Sequence, residues 1–105
     1  MADVRKVATP YEMRMLRKTA ECEQPGNGSH PWHKKYGPKK PWRTRWQTPA
    51  GWRYVGAYGM YSGTYGIGAR ISGVRRYPPA ATPAEQSLVA IAVARTFGWS
   101  AWDCN

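Results

Sequence analysis

The chain is 105 residues long and carries a net charge of +10, from sixteen Lys and Arg against six Asp and Glu. That length holds one small domain with a limited core, and no stretch reaches the roughly 20 apolar residues of a membrane span. The charge favours a polyanionic neighbour without choosing among nucleic acid, an acidic wall polymer and an acidic protein surface. The two cysteines, Cys22 and Cys104, are too few for a disulfide-rich scaffold and leave a bridge or a reduced pair open.

In chain order, "MADVRKVATP" is charged and lacks an apolar run of signal-peptide length, so it reads as a polar tail containing Asp3, with no export signal expected. "TPYE" (Thr9 to Glu12) then gives a threonine N-cap, a proline at the first helical position and a glutamate three residues after the cap. The helix it starts should run from Pro10 to Cys22 or Glu23, with Met15, Leu16, Thr19 and Ala20 on one face, and "QPGNG" stops it. From Gly26 to Trp52 the chain is rich in Gly, Pro, His, Lys, Arg and Trp, which predicts an irregular segment, densest at "HKKYGPKKPWRTRW".

"GWRYVGAYGMYSGTYGIGARISG" (Gly51 to Gly73) spaces glycines among tyrosines. This suits tight turns around an open surface, as a short hairpin followed by a short helix near Gly63 to Ala69. "RRYPPAATP" reads as an extended connector. "TPAE" (Thr82 to Glu85) repeats the helix-start grammar and opens a helix over Pro83 to Phe97, stopped by Gly98. Leu88, Val89, Ala92 and Thr96 share one face, which Ile91 and Val93 widen, so this helix is the expected core element.

Few acids are free for chemistry. Glu12 and Glu85 serve the two capping boxes and Asp3 lies in the expected tail, which leaves Glu21, Glu23 and Asp103. Glu21 and Glu23 are two apart and so point to different faces of a helix. A carboxyl half-buried at a helix C-terminus has its pKa raised by desolvation and by the negative end of the helix dipole, which suits a general acid. A pair of solvated surface charges is the plain alternative.

Three blocks carry a resemblance. "AECEQPGN" is similar to the Cys-Glu-Ser-Gly-Gly-Asn-Trp pattern of the resuscitation-promoting factor catalytic domains, a small lysozyme-like, transglycosylase-like family of actinobacteria. "YVGAYGMYSGTY" (Tyr54 to Tyr65) resembles the family's Tyr-Tyr-Gly-Gly-Leu-Gln-Phe-Ser-x-x-Thr-Trp segment. "ATPAEQSLVAIAVARTFGWSAWDC" (Ala81 to Cys104) resembles its closing helix and Gly-Trp-x-Ala-Trp-to-cysteine ending. The departures are Pro25 for a signature glycine, Gly59 and Met60 where the family has Gln and Phe, and the basic stretch from about His33 to Gln47 as an insertion.

The resemblance implies a mainly α (α+β), small lysozyme-like domain over residues 1–105, with a basic aromatic insertion at 33–47. It implies Glu23 as catalytic acid and Thr64, Tyr54 and Trp32 as substrate-side residues, with a disulfide between Cys22 and Cys104. A bridge closing a loop of that length would stabilise the fold by about 4–5 kcal/mol on the chain-entropy model and imply an oxidising place of work. The implied activity is cleavage of the MurNAc-GlcNAc bond of peptidoglycan, as a lytic transglycosylase or a muramidase. No cofactor or metal is implied: His30 and His33 are three apart, but no further ligands lie near them in sequence.

With no second acid well placed, the chemistry suits one acid. Glu23 would protonate the glycosidic oxygen and then act as base, while the substrate's N-acetyl group or 6-hydroxyl meets the oxocarbenium-like centre. Trp99 and Trp102 read as packing, whereas Trp32, Trp42, Trp46 and Trp52 divide between packing and contact. Lys34, Lys35, Lys39, Lys40, Arg43 and Arg45 would grip anionic wall polymers or other virion proteins. The place of action is then the bacterial cell wall, reached as an extracellular or phage virion-associated protein. Two other readings stand beside this one. Basic residues interleaved with aromatics also make single-stranded nucleic-acid grooves, and the same fold without activity would be a docking subunit of a phage tail.

Overall fold

A computed structural model describes residues 2–23, 54–56, 58–78 and 80–102. The protein is mainly helical. Its elements are α1 (Ala2–Val7), α2 (Pro10–Glu23), β1 (Tyr54–Val55), β2 (Met60–Tyr61), α3 (Ser62–Ser72) and α4 (Pro83–Phe97), followed by a 3-10 turn at Trp99–Ala101.

Helix α4 is the centre. Gln86, Ser87 and every residue from Val89 to Ala94 are buried, so the helix is enclosed nearly all round. Its start is the expected capping box: the Glu85 amide donates to Thr82 Oγ1 at 3.1 Å and the Thr82 amide to Glu85 Oε1 at 3.0 Å. Gly98, at φ 85°, ends it, and its amide donates to the Ala94 carbonyl at 2.7 Å. Thr96, expected on the apolar face, is exposed, and its hydroxyl donates back to the Ala92 carbonyl.

Helix α2 starts by the same device. The Glu12 amide donates to Thr9 Oγ1 at 3.1 Å and the Thr9 amide to Glu12 Oε1 at 2.9 Å. Leu16, Thr19 and Ala20 are buried as the spacing predicts, and Met15 is half-buried beside them. The expected N-terminal tail is instead helix α1. Val4 is wholly buried and joins the core, and α1 packs on α4. Six residues are too few to hold a helix alone in water, so this long-range contact is what sustains α1.

Helix α3 is longer than expected at both ends and contains Gly63, Gly66 and Gly68. These glycines are helical; of them, Gly68 meets α4. A Cβ at Gly68 would lie 2.7 Å from Val93 Cγ2 and 2.8 Å from the Val89 carbonyl oxygen. The missing side chain is what lets the two helices touch. Core residues come from every helix, from the hairpin (Tyr58, Met60) and from Trp102 after α4.

Candidate active site

Three elements carry the residues singled out in the sequence, and all of them bear on one frame. Helices α2 and α3 each pack against α4, and the hairpin packs against α3. Glu23 is the last residue of α2, Tyr54 opens β1, and Thr64 lies half-buried in the first turn of α3.

The register of α2 separates its two terminal acids. Residues 12, 16, 19, 20 and 23 fall on one row of the helix, because steps of three and four residues return to the same side. Glu12, Leu16, Thr19 and Ala20 on that row are buried. Position 23 continues it, eleven residues or about three turns beyond Glu12. Position 21 falls instead on the row of Arg14 and Lys18, which are exposed. The last turn of α2 holds no basic residue, so no neighbouring cation within it offsets the negative end of the helix dipole.

At the other end of the row, the structure shows what this fold does with an inward carboxylate. Arg95 on α4 grips Glu12 with both arms, Nε to Oε2 and Nη2 to Oε1 at 2.8 Å each, and Nη2 also donates to the Val7 carbonyl at 3.0 Å. One guanidinium thus joins α1, α2 and α4. Its hydrogen bond holds the Glu12 carboxyl down at about 2, with burial opposing and Thr9 assisting, and the same bond raises Arg95. The sequence points to Glu12 as a cap but gives no sign of its partner, which lies 83 residues away.

The hairpin is fixed by a polar network that sequence reasoning missed. Strands β1 and β2 pair antiparallel, Tyr54 opposite Tyr61 and Val55 opposite Met60, across a turn in which the Gly59 amide donates to the Gly56 carbonyl at 3.2 Å. Tyr58 in that turn is buried, and its hydroxyl sits 2.7 Å from Ser87 Oγ on α4. Ser87 already donates to the Pro83 carbonyl, so Tyr58 is the donor between them. The Trp102 indole donates to the Tyr58 carbonyl at 2.9 Å, and Trp102 stacks on Trp99. Burial pushes the Tyr58 hydroxyl up to about 12.

Gln86, wholly buried, donates to the Ala81 carbonyl at 3.0 Å and lies so close to Gly56 that a Cβ there would collide with its Oε1. Gly56 also has φ +74°, so position 56 favours glycine for two independent reasons. On α3, the Tyr65 hydroxyl donates to the Arg76 carbonyl at 2.8 Å, and its ring meets Tyr77 at 4.9 Å. Burial, then the charge of Glu85, raise the Tyr65 hydroxyl. Thr64 therefore stands on a helix whose position is set from both sides, although α3 itself begins at Tyr61 with no side-chain cap.

The remaining expectations lie outside the described residues: Trp32, Cys104 and hence the bridge to Cys22, His30 and His33, and the basic stretch 33–47 with Trp42 and Trp46, as well as Trp52. The side chains of Glu21, Cys22, Glu23 and Tyr54 lie outside them as well. Among the described residues no three His, Cys, Asp or Glu gather as metal ligands, and no helix is long and apolar enough to cross a membrane. The chain matches no family model, no curated protein and no solved structure.

Proposed function

We propose that the protein is a lysozyme-like, muralytic enzyme that cleaves the MurNAc-GlcNAc bond of peptidoglycan, with Glu23 as general acid. The observation that carries this reading is the register of α2. Glu23 continues the row of Glu12, Leu16, Thr19 and Ala20 at a helix end without a basic residue. A carboxyl in such a place keeps its proton more readily than one in water, and a protonated carboxyl is what a glycosidic oxygen needs to leave.

In the reaction, Glu23 gives its proton to the glycosidic oxygen as the C1–O bond breaks. The carboxylate left behind takes the proton of the attacking nucleophile. If that nucleophile is the 6-hydroxyl of the same muramic residue, the product is a 1,6-anhydro sugar; if it is water, a reducing end. Thr64 and Tyr54 stand on elements tied to the same central helix and serve to orient the sugar, and Trp32 supplies a ring for its face. The bridge Cys22–Cys104 would anchor the end of α2 to the segment after Trp102. The place of action is the cell wall, reached from outside or as part of a phage particle.

The test is muropeptide mass spectrometry with turbidity loss on actinobacterial peptidoglycan, comparing the parent with Glu23→Gln. Products from the parent and none from the variant are expected. A folded, oxidised parent that leaves the glycan intact refutes the enzyme and favours a docking subunit.

A further inference from the structure

The exposed side of α2 is as distinctive as its buried one. Arg14, Arg17 and Lys18 are all exposed, and Tyr11, 53% exposed, begins the same side. Tyr11, Arg14 and Lys18 follow one another at steps of three and four, so they form a ridge one residue wide along the helix. Tyr11 holds the Arg14 guanidinium 5.9 Å above its ring, which limits the side chain's freedom before any ligand arrives. Arg5 and Lys6 of α1 are exposed too.

Acid is scarce on this side. Between residues 2 and 20 the acids are Asp3 and Glu12, and Glu12 is turned inward to Arg95. Among the described residues the ion pairs use Arg76 and Arg95, never Arg14, Arg17 or Lys18. Glu21 shares this side by register and can offset one of the three.

We infer that the Tyr11–Arg14–Lys18 ridge of α2 is a docking surface for the phosphodiester polymer of a bacterial wall. One feature calls for a polyanion, and a second chooses the wall polymer among polyanions. Cations one helical turn, about 5.4 Å, apart suit a chain of regularly repeated single negative charges. The ridge also ends at the last turn of α2, where Glu23 stands on the opposite row, with Lys18 about 7.5 Å and Arg14 about 13.5 Å before that residue along the axis, so a polymer attached to the glycan and held there brings the glycan to the end of α2. This second feature rests on the proposed function; the charge pattern does not.

The test is co-sedimentation of the full chain with purified wall, either intact or stripped of its phosphodiester polymer by hydrofluoric acid. A single-stranded DNA oligonucleotide is titrated in parallel. Two charge-matched variants separate the ridge from net charge: Arg14→Gln with Lys18→Gln, and Arg70→Gln with Arg75→Gln, all at exposed positions. Stripping should weaken binding tenfold or more. The ridge variant should lose fivefold or more on intact wall, and the control pair less than twofold. Equal losses from both pairs would show net charge at work and overturn the proposal, as would binding that survives stripping. Tighter binding to DNA than to intact wall, dependent on Arg14 and Lys18, would assign the ridge to nucleic acid instead. Glycan cleavage read on the same samples is independent: the expected binding pattern without cleavage supports the ridge while the enzyme reading fails.

Discussion

Replacing Glu12 by Gln should change how stability depends on pH more than it changes the fold. Glutamine still serves a capping box, so the variant keeps the helix start and removes the charge. The carboxyl is lowered from 4.5 to about 2 by Arg95, and each unit corresponds to about 1.4 kcal/mol, which sets a ceiling of about 3 kcal/mol. Arg95 is half exposed and water screens the pair, so about 1–2 kcal/mol is the expected share. The folded-state value lies below the unfolded one. The contribution is therefore complete above pH 4.5 and disappears as pH falls toward 2. Urea unfolding of both proteins at pH 7, 4.5, 3 and 2 checks this. The parent should exceed Glu12→Gln by about 1–2 kcal/mol at pH 7, with the gap closing through the acid range. Other carboxylates titrate in both proteins and cancel in the difference. Parallel curves, with a gap that does not change from pH 7 to 2, would refute the electrostatic account of the α1–α2–α4 junction.

Gly68→Ala places a methyl group against Val93 and the Val89 carbonyl, and should destabilise by about 1–3 kcal/mol even though alanine is the better helix former; a thermal melt equal to or above the parent's would show that α3 and α4 can separate freely. Tyr58→Phe removes a hydroxyl buried against Ser87 and should cost about 1 kcal/mol at neutral pH. The Tyr58 value is raised from 10 to about 12, so its contribution is complete below pH 10 and lost on the way to 12. The parent should accordingly lose more stability than the variant over that range, measured by urea titration.

Much of the frame is legible because its signals are local. Thr9 and Thr82 announce their helices through a proline and a glutamate within three residues, and Gly98 ends the second one through its own φ. What the sequence hides is what depends on partners far along the chain. Helix α1 has almost no local signal and exists because Val4 joins the core and α1 packs on α4; Gly68 has no evident role within its expected helix until the valines opposite are seen. The same holds for Glu12, whose second role needs Arg95, and for Tyr58, whose hydroxyl needs Ser87. At the candidate site, the order of the elements and the placement of Glu23 at the end of α2 follow from the sequence. The network holding the hairpin does not.

The two carboxylates at the ends of the α2 row also give the enzyme reading a stability test of its own. Glu12 stands in the first turn, where the helix dipole favours an anion, and it has a cation to hold it. Glu23 stands at the opposite end, where the dipole disfavours an anion by about 0.3–1 kcal/mol and the last turn offers no basic residue. On the dipole alone, a carboxylate there adds no stability. If Glu23 serves chemistry, Glu23→Gln should leave the melting temperature unchanged or raise it by a few degrees while ending glycan cleavage, the pattern expected where function is held against stability. If Glu23 is instead a structural partner in an ion pair, the same substitution should lower the melting temperature, as Glu12→Gln does at neutral pH. Calorimetry of the two variants side by side therefore distinguishes a structural ion pair from a carboxylate free of one, and the cleavage assay then separates a catalytic acid from a solvated charge.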